Sequence, residues 1–197
     1  MALPTAADVT VYFPCPSEER SHCEIAWVGG RLSYKAAMLD RYLAPLLHRH
    51  CLVFGWGDTW EHGQRIRDSE VPILFSSAKI RPGISESHSV RHPIDIPERA
   101  FKVPASGGFT IHAPSPAIPD LFEDVVPVER DDREWLDLVV HYLSDVKARN
   151  ALASRQRTLI LERHTYFGRC AAIATFLGEA RLKDALGNAK ARFVLRG

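Results

Sequence analysis

The strongest constraint on the fold is a set of short, unbroken apolar runs separated by helix-like stretches. Ile25-Ala26-Trp27-Val28 stops at Gly29-Gly30, and Cys51-Leu52-Val53-Phe54 stops at Gly55. Residues 71–75, 109–111 and 125–128 give three more runs of the same kind. Their apolar residues are continuous rather than alternating, as in strands buried on both faces. Strands alternating with helices predict an α/β fold with a doubly wound, Rossmann-like parallel sheet of about five or six strands. A sixth, weaker stretch, residues 9–13, has the length of a short strand.

The helices are read from period and caps. Ser33 fits an N-cap, and Met38, Tyr42 and Leu46 follow at steps of four, with Pro45 expected to end that helix. Asp131 and Glu134 have capping-box spacing. Beyond them Trp135, Val139 and Tyr142 share a face with Leu136, Val140 and Leu143. Ser144 is placed to cap a further helix running to Leu161. Tyr166, Cys170, Ile173 and Leu177 suggest a third, stopped by Gly178. The last third is therefore helical. The expected organisation is a connector over residues 1–23, a nucleotide-binding domain over 24–180, and a tail over 181–197. The tail carries five Lys or Arg and is compatible with an amphipathic helix.

Composition excludes several classes. The chain has 197 residues, 46% hydrophobic and 25% charged, which suits a soluble domain with a core of its own. The formal net charge is +1, so no global field draws it to nucleic acid or to an anionic membrane. There is no signal-peptide pattern and no apolar stretch near the roughly 20 residues of a membrane span. Cys15, Cys23, Cys51 and Cys170 form no CxxC pair, and Cys51 reads as a buried small residue. A cytoplasmic, reduced protein is expected. His22, His62, His88, His92 and His112 lack metal-site spacing, so no metal and no cofactor are expected. GxSxG, HExxH, GxGxxG and P-loop patterns do not occur.

Two segments suit a phosphorylated ligand. Gly29-Gly30-Arg31-Leu32 leads to Lys35 and joins the first strand to a helix, where free backbone N–H groups and two cations favour phosphate. The plainer alternative is a strand-to-helix turn with solvated bases. Arg99 and Lys102 share a helical face at i, i+3, and Gly107-Gly108 then leads into the next strand. Here the alternative is a helix with a solvated cationic face and a glycine stop.

Three pieces carry a family resemblance: Ala26-Trp27-Val28-Gly29-Gly30; the run Arg99-Ala100-Phe101-Lys102-Val103-Pro104-Ala105-Ser106-Gly107-Gly108-Phe109; and Leu121-Phe122-Glu123 followed by His164-Thr165-Tyr166 and Arg169. Over residues 27–177 the chain resembles the C-terminal domain of CgeB-like (spore-maturation-protein-like) glycosyltransferases of the GT-B superfamily. The resemblance implies a single GT-B C-terminal-type domain and metal-independent transfer of a sugar from a nucleotide-diphosphate sugar. It implies binding of that donor by Gly29, Gly30, Arg31, Lys35, Arg99, Lys102, Gly107 and Gly108. It also implies an acceptor-binding N-terminal domain, which these residues do not include. The partner would be an acceptor-binding subunit or a second copy of the chain. Lys102 stands where the family pattern has Glu, which by similarity accepts hydrogen bonds from ribose hydroxyls. An ammonium has donors only, so Lys102 suits phosphate rather than ribose. A non-catalytic binding or assembly module is the alternative. A phosphosugar isomerase would share the sheet but leave residues 99–109 without a role.

Overall fold

Parallel pairing of the apolar runs organises the chain. The computed structural model describes residues 3–49, 51–54, 64–86, 89, 95–129 and 131–194. Strand β1 (Ile25–Val28) pairs with β2 (Cys51–Phe54), with Ile25 opposite Cys51 and Val28 opposite Phe54. Strand β3 (Arg81–Gly83) pairs with β4 (Thr110–His112) in the same sense. Parallel bridges join the two ribbons through Ile25 and Ile80, and add one row at each side, Gln64 on Phe54 and Val128 on His112. The Ala26 N–H donates to the Ile80 carbonyl at 3.0 Å, continuing the ladder across the join.

The resulting order of rows is Gln64, β2, β1, β3, β4, Val128. Counted along the chain this is third, second, first, fourth, fifth, sixth. The direction of winding reverses between β1 and β3. A sheet wound this way opens a crevice beyond its carboxyl ends at the reversal.

Helices α1 (Ser33–Tyr42), α2 (Val71–Ser77), α3 (Arg99–Ala105) and α4 (Ala117–Phe122) lie between these rows in the chain. Helices α5 (Asp132–Ser144), α6 (Val146–Arg163), α7 (Tyr166–Phe176) and α8 (Ala180–Val194) follow. Trp27, Trp135, Phe101 and Phe122 are among the largest fully buried side chains. Phe101 packs on Phe122 with ring centroids 5.0 Å apart, and Tyr42 meets Trp135 edge-on at 5.3 Å. Burying one such ring stabilises the fold by roughly 1.5–3 kcal/mol.

Several local expectations are corrected. Residues 71–75 form helix α2, not a strand. Pro72 sits in its first turn, where no N–H is needed, and Val71, Leu74 and Phe75 share its buried face. An apolar run of five has no period that separates helix from strand. Residues 9–13 form turns rather than a strand: Asp8 Oδ1 accepts the Thr10 N–H at 2.9 Å, and the Asp8 carbonyl accepts that of Tyr12. Ser33 is already helical, and Leu32 takes the N-cap position without a side-chain bond. Ser144 ends α5, turning its hydroxyl back to the His141 carbonyl at 2.8 Å, and Asp145 caps α6 instead. Cys51 is half-buried. Of residues 125–128, Val128 alone makes a bridge.

Other features agree. Asp131 Oδ1 accepts the Glu134 N–H at 2.9 Å and starts α5. The helix α1 ends before Pro45, and Gly178 follows α7 with φ 77°. The first residues are tied to the far end of the chain. Ala7 bridges Thr165 in parallel, and Arg169 Nε donates to the Pro4 carbonyl at 3.1 Å. Helix α8 lies against α7, with Phe193 stacked on Phe167 at 5.7 Å. Among the described residues no helix is long and apolar enough to cross a membrane.

Candidate functional site

A cavity of about 690 Å³ opens at the reversal of the sheet, beyond the carboxyl ends of β1 and β3. That volume is in the usual range for small-molecule sites. Its wall is built first by the end of β1. Gly29 has φ 151°, a backbone conformation that side-chain-bearing residues rarely adopt. A Cβ there would lie 3.4 Å from Arg99 Nη2 and 3.5 Å from the Trp27 ring. The bare backbone lets the guanidinium of Arg99 come up beside the Gly29-Gly30 turn. The two segments singled out from the sequence, far apart along the chain, therefore meet here.

Arg99 opens α3, and its guanidinium lies 4.1 Å over the Trp27 ring. Among the described residues its side chain makes no hydrogen bond, and Nη1 is buried without a partner. Burial lowers its pKa to about 10, with the Glu86 carboxylate acting in the opposite sense. The group is still charged at neutral pH.

Two lysines complete the cationic part. Lys35, in the first turn of α1, reaches Glu86 Oε1 at 2.5 Å. Lys102 reaches Glu98 Oε2 at 2.6 Å and lies 4.7 Å over the Tyr12 ring. Burial alone would lower the Lys102 pKa; the hydrogen bonds to Glu98 and Tyr12 and the Glu98 charge outweigh it and raise it. The Tyr166 hydroxyl donates to the other Glu98 oxygen at 3.0 Å.

The charge in the cavity is mixed rather than cationic. Asp68, Glu86, Asp95 and Glu98 line it beside Lys35, Arg99 and Lys102. These carboxylates were not singled out in the sequence. Glu86 follows β3, a strand written Arg-Pro-Gly, which carries no apolar signal. Glu98 precedes Arg99 and gave no motif of its own.

Three of the sequence-derived site residues lie elsewhere. Arg31 does not line the cavity; its Nη2 holds both oxygens of Asp40 at 2.7 Å on the exposed side of α1. Gly107 and Gly108 precede β4, at the amino edge of the sheet. The helix α3 starts at the carboxyl edge and returns the chain to the opposite one, so Arg99 and the glycines after its end cannot share a site. Gly107 has φ 74°, and a Cβ on Gly108 would lie 2.3 Å from the Phe75 carbonyl oxygen. Gly108 thus closes the turn against α2, and a Cβ on Gly107 would lie 3.4 Å from Pro14 Cγ.

Behind Arg99, at the end of β4, is His112. Its ring packs where a Gly83 Cβ would stand, 2.2 Å from Cδ2. Its Nδ1 is 2.7 Å from the Ala113 carbonyl, which must accept, so Nδ1 carries the proton. Burial lowers its pKa to about 4, the Arg99 charge adding to the effect. Nε2 is buried without a partner. Among the described residues no three His, Cys, Asp or Glu side chains are grouped as metal ligands. His62, His88 and His92 lie outside the described residues.

The profile of a family described as "Glycosyl transferase-like" matches residues 35–175. The chain belongs to the glycosyl transferase-like family. No curated protein matches it. Among solved structures, this glycosyl transferase-like domain is similar to the C-terminal domain of a glycosyl transferase group 1 family protein (LpcC) from Francisella tularensis. The identity is 12%, the TM-score 0.55, and the match covers 81% of this chain and 98% of that one. The likeness is one of fold, an α/β domain of the GT-B C-terminal type. A second similar structure is the C-terminal CMP-Kdo binding domain of WaaA from Acinetobacter baumannii, with 16% identity, a TM-score of 0.48, and coverage of 72% and 90%.

Proposed function

We propose that this domain holds a nucleotide-diphosphate sugar in the carboxyl-edge cavity and acts as the donor-binding half of a metal-independent glycosyltransferase. The observation that carries the reading is Arg99, whose Nη1 is buried with no hydrogen-bond partner among the described residues, beside the Gly29-Gly30 turn at the reversal of the sheet. A planar fork of donors suits a diphosphate, and fixed positive charge there would stabilise a diphosphate leaving group. Lys35 and Lys102 would join Arg99 by leaving their carboxylates. Gly29 and Gly30 would admit the phosphates close to the backbone.

The mouth of the cavity supports an acceptor presented from outside. Leu32 lines it and is 43% exposed, and Tyr34 beside it is 49% exposed. Val11 and Phe13, on either side of the lining residue Tyr12, are exposed too. Such a rim suits a second domain, a partner subunit or another copy of the chain. The finer kinship to CgeB-like enzymes rests on the segments 99–109 and 164–169. We infer a reducing, cytoplasmic setting, which four free thiols would suit.

The mixed charge favours a second reading, a non-catalytic relative. Both lysines are already held by carboxylates, and among the described residues the acids that line the cavity outnumber the cations. A thermal-shift panel of UDP, GDP and dTDP sugars on the natural chain and on Lys102→Glu separates the two. Stabilisation of the natural chain by at least one donor is expected. Stabilisation of the Glu variant alone would favour the non-catalytic relative, and no response from either would end the donor-site reading.

A further inference from the structure

A second cavity, of about 190 Å³, lies at the amino edge of the sheet, between the end of α2, the turn before β4 and the start of α6. Arg81 and Arg149 line it, 3% and 7% exposed. Arg81 Nη2 donates to the Leu74 carbonyl at 2.8 Å. Arg149 Nη1 donates to the Tyr142 and Leu143 carbonyls at 2.6 and 3.2 Å. All of these acceptors are neutral. Arg81 Nε is buried with no partner.

Among the described residues no carboxylate lines this cavity. Lys79 does, and it is held by Glu24 at 3.2 Å. Asp145 lies one turn before Arg149, but its Oδ1 takes the Ala148 N–H and it stays off the cavity wall. Among the described residues the two guanidinium groups make no ion pair, although the Asp145 charge acts on Arg149 from off the cavity wall. Burial, opposed by Cys23 and assisted by the Arg149 charge, lowers the Arg81 pKa to about 9. Buried charges are ordinarily paired, because desolvation without a partner is costly.

The glycine pair read from the sequence as an anion-approach signal belongs here. Gly107 lines this cavity, and a Cβ on Gly108 would lie 3.0 Å from Arg81 Nη1. We propose that this cavity is a second anion site that takes one free tetrahedral oxyanion, inorganic phosphate, between Arg81 and Arg149. The space suits it: a water molecule occupies roughly 30 Å³ of liquid, so a phosphate and a few waters fill the cavity. The anion would accept from the Arg81 guanidinium and from the Arg149 donors not bonded to α5, with Gly107 beside it.

The test is a titration of the full chain with inorganic phosphate, followed through its backbone amide NMR signals. The Gly107 and Gly108 signals should move together and saturate, whatever happens at Gly29 and Gly30. Arg149→Gln should weaken that response about tenfold or more, as loss of one charge-assisted pair does. Arg99→Gln should leave it intact. Phosphate that shifts Gly29 and Gly30 alone, that shifts no amide at millimolar concentration, or that binds a folded Arg149→Gln chain as before, would overturn the proposal. If Arg149→Gln fails to fold, the amide map of the natural chain decides.

Discussion

Arg99 lies over Trp27, its guanidinium carbon 4.1 Å from the ring centre, at the point where the sheet reverses its winding. The aromatic face accepts the cation without consuming its N–H donors. Trp27 is itself anchored by Nε1, which donates to the Gly29 carbonyl at 3.2 Å. Ring, turn and guanidinium form one unit.

Replacing Arg99 with Met separates binding from folding. The aliphatic side chain still covers Trp27, and it removes a charged group whose buried Nη1 has no partner among the described residues. Exchange of a buried charge for a packed apolar side chain is often neutral or stabilising. The melting temperature should therefore hold or rise, while any donor-induced thermal shift disappears. A variant that melts lower and keeps the shift would show that Arg99 serves the fold alone.

Gly29→Ala probes the backbone. At φ 151° a side chain costs about 1–3 kcal/mol of strain. The added methyl also approaches Arg99 and Trp27 closely. Urea titration should show that loss with an unchanged slope, and donor binding should weaken with it. A midpoint equal to that of the natural chain would contradict the geometry.

Arg31→Ala should do almost nothing. Its pair with Asp40 is exposed, and such pairs contribute about 0–1 kcal/mol. Stability and donor response should both match the natural chain, measured side by side. A lost donor response would return Arg31 to the site.

Acid should weaken the fold in two stages. His112 and His164 are both held to about 4 by burial, Arg99 adding to the first and Arg169 to the second. His164 donates Nε2–H to the Leu121 carbonyl and accepts from Arg169 at Nδ1, an arrangement that requires the neutral ring. Unfolded histidine binds its proton near pH 6.5. The contribution of each is present above pH 6.5 and is lost as pH falls towards 4. Denaturant midpoints should drop between pH 7 and 5, before the carboxylates of Asp124, Asp132 and Glu70, all lowered, begin to titrate. His164→Gln should flatten that drop, and a flat profile in the natural chain would refute the assignment.

What the sequence disclosed follows from how each element is stabilised. β1 is a buried apolar run and β2 a half-buried one, and both could be read directly, as could α5 and α7, which carry their own caps and stops. β3 could not, because Arg81-Pro82-Gly83 is held by its neighbours rather than by its own residues. Its loss hid Glu86, which follows at its tip. The meeting of Gly29 with Arg99 was legible as two signals at strand tips. The separation of Arg99 from Gly107 was not, since eight residues look close in a string although a helix carries them across the sheet.

The bridge between Ala7 and Thr165 has a consequence for how the molecule comes apart. The start of the chain is one side of the joint from which α7 and α8 spring, with Arg169 clasping Pro4 across it. Cutting away the first dozen residues would therefore loosen the opposite terminus, and a protease that nicks one end would soon be followed by digestion at the other.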